Sequence, residues 1–294
     1  MHAPIAIPAD VRSRLKALRL LPRRAVGAQG IGQHASRSRG AGLEFAQYRA
    51  YEPGDELRQI DWKLYARSDR FFVRESERES PVTIWILLDA TASAGQCDRA
   101  RPGASRLDHA SAVAACIIEL ALQQGDRFGL IAISGEGVRL VPAGGGARQR
   151  DRIHLLLHRL RAHGTWPATD ALRPVWERVQ ANDMLIALGD GFDEAGTVLL
   201  ERLAAARRDV AQLQILTADE RDFPFEDGHR FRDPETGEEL LGDGHAIRDD
   251  YLARFAEAQR LLQSRLQRGG IAHVVTHTDQ PLDAPLRALA GVGR

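Results

Sequence analysis

The sequence predicts an α/β protein built on a doubly wound, mostly parallel sheet, preceded by an N-terminal helix and an irregular, partly β extension. Three observations predict it. From Val82 onward, apolar strand patterns alternate with helical ones, the order that produces a sheet covered by helices. Two strands, Ile84-Trp85-Ile86-Leu87-Leu88 and Met184-Leu185-Ile186-Ala187-Leu188, run without a polar interruption, as suits central strands buried on both faces. Both stop abruptly, the first at Asp89 and the second at Gly189-Asp190-Gly191.

Taken in order, the spacing of Val11, Leu15, Leu18 and Leu21 predicts a helix from Pro8 to about Leu20. Gly27 to Gly42 is rich in Gly, Ser and Arg and reads as a loop. A dense mixed segment follows, and Phe71–Glu75 reads as a strand. Val82–Leu88 is a strand, and Ser105–Gln124 a helix in which Ser105 and Asp108 have capping-box spacing. Arg127–Ser134 is a strand, and Val138–Val141 a short edge strand. Helices are expected over Arg148–Ala162 and Asp170–Ala181, then the strand Met184–Leu188 and a helix over Glu194–Arg207. Gln212–Leu216 is a strand, and Phe231–Leu241 a hairpin about Pro234-Glu235-Thr236-Gly237. A long helix over Arg248–Arg268, a strand over Ile271–Thr276 and a helix over Leu282–Ala290 close the chain. The expected division is residues 1–80, carrying the N-terminal helix, loop and mixed segment, and residues 81–294, carrying the α/β domain.

The 294 residues are 44% hydrophobic and 27% charged, an ordinary globular composition. Forty basic residues balance forty acidic ones, which disfavours a general attraction to nucleic acid or to an anionic membrane. Apolar runs are too short to span a bilayer. Cys97 and Cys116 have no metal or disulfide spacing. Two cysteines suit a reducing compartment, and the expected location is cytoplasmic. His154 and His158 share a helical face, but no third ligand accompanies them, so a solvated face is the simpler reading.

Ligand sites of open parallel sheets form at the carboxyl ends of the strands. Asp89, Thr91 and Ser93 would therefore stand at one rim as hard oxygen donors suited to Mg²⁺ or Mn²⁺. Asp190 ends the second buried strand at the same rim. The loop between two helices adds Gly164-Thr165, with Thr169 as the alternative hydroxyl. In isolation, Asp89, Thr91 and Ser93 would serve as well to cap a helix, and Asp190 between glycines would be a turn residue.

Asp89-x-Thr91-x-Ser93 resembles the Asp-x-Ser-x-Ser of von Willebrand factor A domains, with threonine for the first serine. Gly164-Thr165 resembles the second loop of that family and Gly189-Asp190-Gly191 the third. The resemblance implies a metal-ion-dependent adhesion site of Asp89, Thr91, Ser93, Thr165 and Asp190. There a cation keeps one coordination position open for a partner's carboxylate. Upstream, Glu44-Phe45, Arg49-x-Tyr51-x-x-Gly54-Asp55, Arg58-x-Ile60-Asp61-Trp62 and Ala66-Arg67 resemble the hallmark of domain-of-unknown-function family fifty-eight. That resemblance spans roughly residues 35 to 290. It implies action beside a MoxR-type AAA+ ATPase, or its client, in assembling or activating other proteins. The spacing from Thr165 to Ala171-Leu172 is one residue longer than the family pattern, and a displaced threonine would weaken Mg²⁺ binding. The hallmark is expected to be mainly structural, with Asp55 and Asp61 pairing with Arg58, Arg49 or Arg67 and Trp62 plugging the sheet. Docking is the minor alternative.

The leading expectation is a non-enzymatic interaction module. The alternative is a Mg²⁺-dependent hydrolase or phosphatase using Asp89 as nucleophile. Against it, Thr91 stands where the haloacid dehalogenase pattern has a second aspartate, and both lysines, Lys16 and Lys63, precede the strand. Gly144-Gly145-Gly146-Ala147-Arg148 lacks the lysine and hydroxyl of a phosphate-binding loop.

Overall fold

The computed structural model describes residues 5, 7–23, 47–52, 55, 60–75 and 81–292, with only the backbone described at 47–49, 74–75 and 292. The chain divides into two units, one of Met1–Gly27 with Val82–Arg294, the other of Ala28–Pro81.

Helix α1 (Ala9–Leu15) belongs to the large unit. It ends earlier than its apolar spacing predicts, and the chain continues over the body as an extended strap. Ile7, Val11, Leu15 and Leu20 enter the main hydrophobic cluster. Gln124 fastens the strap by accepting from the Leu20 N–H (2.8 Å) and donating to the Leu20 carbonyl (3.0 Å). Arg23 reaches Asp209 at 3.1 Å.

In the small unit, β1 (Gln47–Ala50) pairs antiparallel with β2 (Phe72–Glu75) around α2 (Trp62–Ser68). Asp61 caps α2, its Oδ1 accepting from the Lys63 and Leu64 N–H groups at 3.0 Å. Within this unit Trp62 does not fill a core. It is 57% exposed and makes edge contacts with Tyr65 and Phe71, because it opens a short helix that has no buried residue. Gly54, Arg58 and the Glu44-Phe45 pair lie outside the described residues, and at Arg49 only the backbone, in register with Val73, is described.

The large unit begins its sheet with β3 (Thr83–Asp89). A small hairpin of β4 (Cys97–Asp98) and β5 (Arg101–Ser105) lies between this strand and the next helix. Helix α3 (Arg106–Gln124) follows, opened by the Ser105–Asp108 capping box and closed by Gly125 at φ +76°. Then come β6 (Arg127–Ser134), β7 (Gly137–Gly144) and α4 (Ala147–Arg159). The single helix expected over Asp170–Ala181 is a 3₁₀ turn, Thr169–Leu172, followed by α5 (Arg173–Arg178). Pro174 has no N–H to donate, so regular α-helix starts beside it. After β8 (Met184–Gly189) come α6 (Glu194–Ala205), β9 (Asp209–Leu216) and α7 (Ala218–Asp222). The hairpin β10 (Gly228–Arg232) and β11 (Glu239–Asp243) precedes α8 (Gly244–Arg268). Helix α8 starts earlier than predicted because Asp243 caps it. Strand β12 (Ala272–His277) and α9 (Ala284–Val292) complete the fold.

The sheet order is β12-β9-β8-β3-β6-β7, parallel throughout except for the antiparallel edge strand β7. Alternate residues of β3 serve opposite faces. Ile84, Ile86 and Leu88 pack with α1, α3, α4 and α9, while Trp85 and Leu87 pack with α5, α6 and the end of α8. The chain winds outward from β3 to β6 in one direction and from β8 to β9 in the other, so a topological switch point lies between β3 and β8. A crevice at the carboxyl ends of these two strands is where such sheets bind ligands.

Candidate functional site

The register sets Leu88 opposite Leu188 and thus brings the ends of β3 and β8 side by side. Asp89 leaves β3 almost fully buried beside Gly189, where the absence of a side chain makes room for it. A Cβ on Gly189 would stand 2.7 Å from the Asp89 Cβ and 3.2 Å from its Oδ2.

Among the described residues, every donor reaching Asp89 is neutral. Its Oδ1 accepts from the Thr91 N–H (2.9 Å) and the Thr91 hydroxyl (2.8 Å). Its Oδ2 accepts from the Trp166 indole N–H at 3.0 Å. Thr91 Oγ1 lies 3.1 Å from Ser93 Oγ, so Asp89, Thr91 and Ser93 form one chain of side-chain oxygens. Burial pushes the Asp89 carboxyl up to about 6, and the nearby charge of Asp190 pushes the same way. The Thr91 and Trp166 donors oppose both.

The loop Thr165 occupies is pinned to this rim on both sides. The Ala92 N–H donates to the Gly164 carbonyl (2.8 Å) and the His163 N–H to the Ala90 carbonyl (3.0 Å). Gly164 adopts φ +67° and its Cβ position would be 2.5 Å from the Gly135 Cα, so only glycine passes there. Trp166, next along the chain, packs on Gly196 of α6, where a Cβ would come within 3.0 Å of the indole ring. Thr165 is thus held between two anchors and its side chain is exposed. Thr169 is also exposed, in the 3₁₀ turn.

Asp190 is at the same rim, yet it is committed to a partner that no motif announces. Its Oδ2 accepts from Arg106 Nη1 at 2.5 Å and its Oδ1 from the Phe192 N–H at 3.1 Å. Arg106 Nη2 donates in addition to Glu220 Oε1 (2.5 Å) and Gln96 Oε1 (3.1 Å). Arg106, Gln96, Glu220 and Trp166 were all missed by sequence reasoning. For Arg106 one signal existed: it is the first residue of a 19-residue helix, where the positive end of the helix dipole disfavours a cation. A basic residue in that place implies anions nearby.

Among the described residues, no three His, Cys, Asp or Glu side chains gather into a metal-ligating group. Any cation at this rim would therefore rest on hydroxyls with at most two carboxylates. Asp89, Thr91 and Ser93 offer hard oxygen atoms linked through Thr91, and this ligand chemistry fits Mg²⁺ or Mn²⁺.

The fold and rim define a doubly wound, mostly parallel α/β domain with an Asp-x-Thr-x-Ser turn at its switch point. The chain belongs to the family described as "Protein of unknown function DUF58", whose pattern matches residues 47–261. It is 28% identical over 285 residues to uncharacterised proteins of Mycobacterium tuberculosis and Mycobacterium bovis, an alignment covering 92% of this chain and 86% of each relative. Similar solved structures include the conserved hypothetical protein BatB from Bacteroides thetaiotaomicron, at TM-score 0.44 and 13% identity over 71% of this chain and 96% of that one. The SpRpn10 VWA domain is similar at TM-score 0.40 and 14% identity, over 72% of this chain and 95% of that domain. Among the described residues, no helix is long and apolar enough to cross a membrane.

Proposed function

We propose that this protein is a non-enzymatic interaction module whose contact surface is the carboxyl rim of the sheet, at a metal-ion-dependent adhesion-type site. The observation that carries the reading is the continuous oxygen chain Asp89–Thr91–Ser93 at the switch point. These three side chains would hold Mg²⁺ or Mn²⁺, with Thr165 on the loop beside them. When bound, the cation would offer an open position to a partner's carboxylate. The hydrolase alternative is less favoured, because Thr91 stands where the haloacid dehalogenase pattern has its second aspartate and both lysines, Lys16 and Lys63, precede the strand. The proposed partner, following the family resemblance, is a MoxR-type AAA+ ATPase or its client.

Calorimetric titration with Mn²⁺ tests the site. Wild type is expected to bind and Asp89→Ala to lose binding. A pull-down of the MoxR-type ATPase is expected to succeed with Mg²⁺ and fail in chelator. A phosphatase activity abolished by Asp89→Ala would overturn the reading, as would partner capture indifferent to both chelator and Asp89→Ala.

A further inference from the structure

The cluster around Arg106 ties together four separate parts of the chain. Gln96 comes from the turn after β3, Arg106 from the start of α3, Asp190 from the loop after β8 and Glu220 from α7. The guanidinium is 2% exposed, and arginine does not lose its charge in proteins. Each of its two anionic partners, like Asp89, accepts hydrogen bonds on both oxygens, but for Asp190 and Glu220 one of the donors is a cation. Asp190 gives one oxygen to Arg106 and the other to the Phe192 N–H. Its carbonyl accepts from Gln214 Nε2 at 2.7 Å, so the backbone is held as well. Glu220 gives Oε1 to Arg106 and Oε2 to the N–H and hydroxyl of Thr217, completing the capping box of α7. Asp89, by contrast, accepts from no cation among the described residues.

We propose that Arg106 is the resident cation of this rim, holding Asp190 out of the metal's reach and leaving Asp89, Thr91 and Ser93 as the cation's side-chain ligands. The inference rests on the metal-site reading given above and deepens it. Two charges govern the outcome. A divalent ion gains affinity with the number of carboxylates around it, and Arg106 withdraws one of the two at the rim. The fixed guanidinium also repels an incoming cation in a poorly solvated place. Arg106 is in this sense a positioning residue, acting through Asp190, and it makes the site weaker than its motif implies.

The test is a calorimetric Mn²⁺ titration of the full chain as wild type, Asp89→Asn, Asp190→Asn, Arg106→Lys and the double variant Arg106→Gln/Glu220→Gln. The double variant removes the guanidinium together with one of its anions and keeps a residue suited to the α7 capping box. Asp89→Asn is expected to lose binding, while Asp190→Asn and Arg106→Lys stay within about threefold of wild type, because neither frees a carboxylate for the ion. The double variant releases Asp190 and is expected to bind about tenfold tighter or better. The proposal is overturned if Asp190→Asn weakens binding as much as Asp89→Asn, or if a folded double variant binds no more tightly than wild type. Should circular dichroism show the double variant unfolded, the contrast between the two asparagine variants decides. Should wild type bind no Mn²⁺, the adhesion-site reading fails by itself. A gain of Mn²⁺ binding in the double variant would still support the role of Arg106, and no gain would overturn it.

Discussion

Gly189 and Asp89 stand side by side on adjacent strands, so close that a single added methyl on the glycine would fall 2.7 Å from the aspartate's Cβ. The carboxylate keeps its place because its neighbour has no side chain. Gly189→Ala is expected to displace Asp89 and to destabilise the domain by about 1–3 kcal/mol, the usual cost of overpacking a tight site. Urea unfolding measures the loss, and a stability equal to wild type would show that the strands can separate to admit the methyl.

Thr91 is fully buried and its hydroxyl joins Asp89 to Ser93. Thr91→Val preserves shape and removes that link. It is expected to abolish Mn²⁺ binding in calorimetry and to cost about 1–3 kcal/mol in a chelator-containing urea melt, since one buried acceptor loses a donor.

Arg106 neutralises two carboxylates at once. Arg106→Ala leaves both with an unoccupied cavity between them and is expected to cost about 3–5 kcal/mol, as when one partner of a buried ion pair is removed. Arg106→Lys retains the charge and should lose clearly less. Chemical denaturation of the two variants side by side checks the ordering.

His109 gives a pH dependence of defined sign. It is buried on α3, with Nδ1 3.3 Å from Arg101 Nη1 and Nε2 without a partner among the described residues. Burial first, and then the Arg101 charge, lower it from 6.5 to about 4. The unfolded chain therefore takes up this proton at higher pH than the folded one. The stability this histidine contributes is complete above about pH 6.5 and is lost as pH falls toward 4, by up to about 3 kcal/mol. His154, His273 and His277 are lowered by burial in the same direction. Thermal melts between pH 7 and 4.5 are expected to show a shallower decline for His109→Gln than for wild type. Parallel curves would refute the assignment.

The sheet was legible because its signal is local. Uninterrupted apolar runs at Ile84–Leu88 and Met184–Leu188 are demanded by burial on two faces, and both became central strands. The acids that end those runs could be placed at one rim for the same reason. Elements governed by single hydrogen bonds were harder to bound. Asp243 extended α8 toward the N-terminus, Pro174 split a predicted helix, and the β4–β5 hairpin had no alternating pattern to reveal it. Trp62 was misplaced because aromatic character alone does not say whether a residue lies inward.

Composition and periodicity thus determined the parallel architecture, its winding and the oxygen-bearing turn at Asp89, since each is announced by a pattern within a short stretch of sequence. The folded chain alone decided how the charges at that turn are balanced. Arg106 finds Asp190 across 84 residues and Glu220 across 114. A buried guanidinium must lie against carboxylates to offset its lost hydration, but which carboxylates reach it depends on where the β8 loop and α7 return to the start of α3. No local pattern in the chain encodes that meeting.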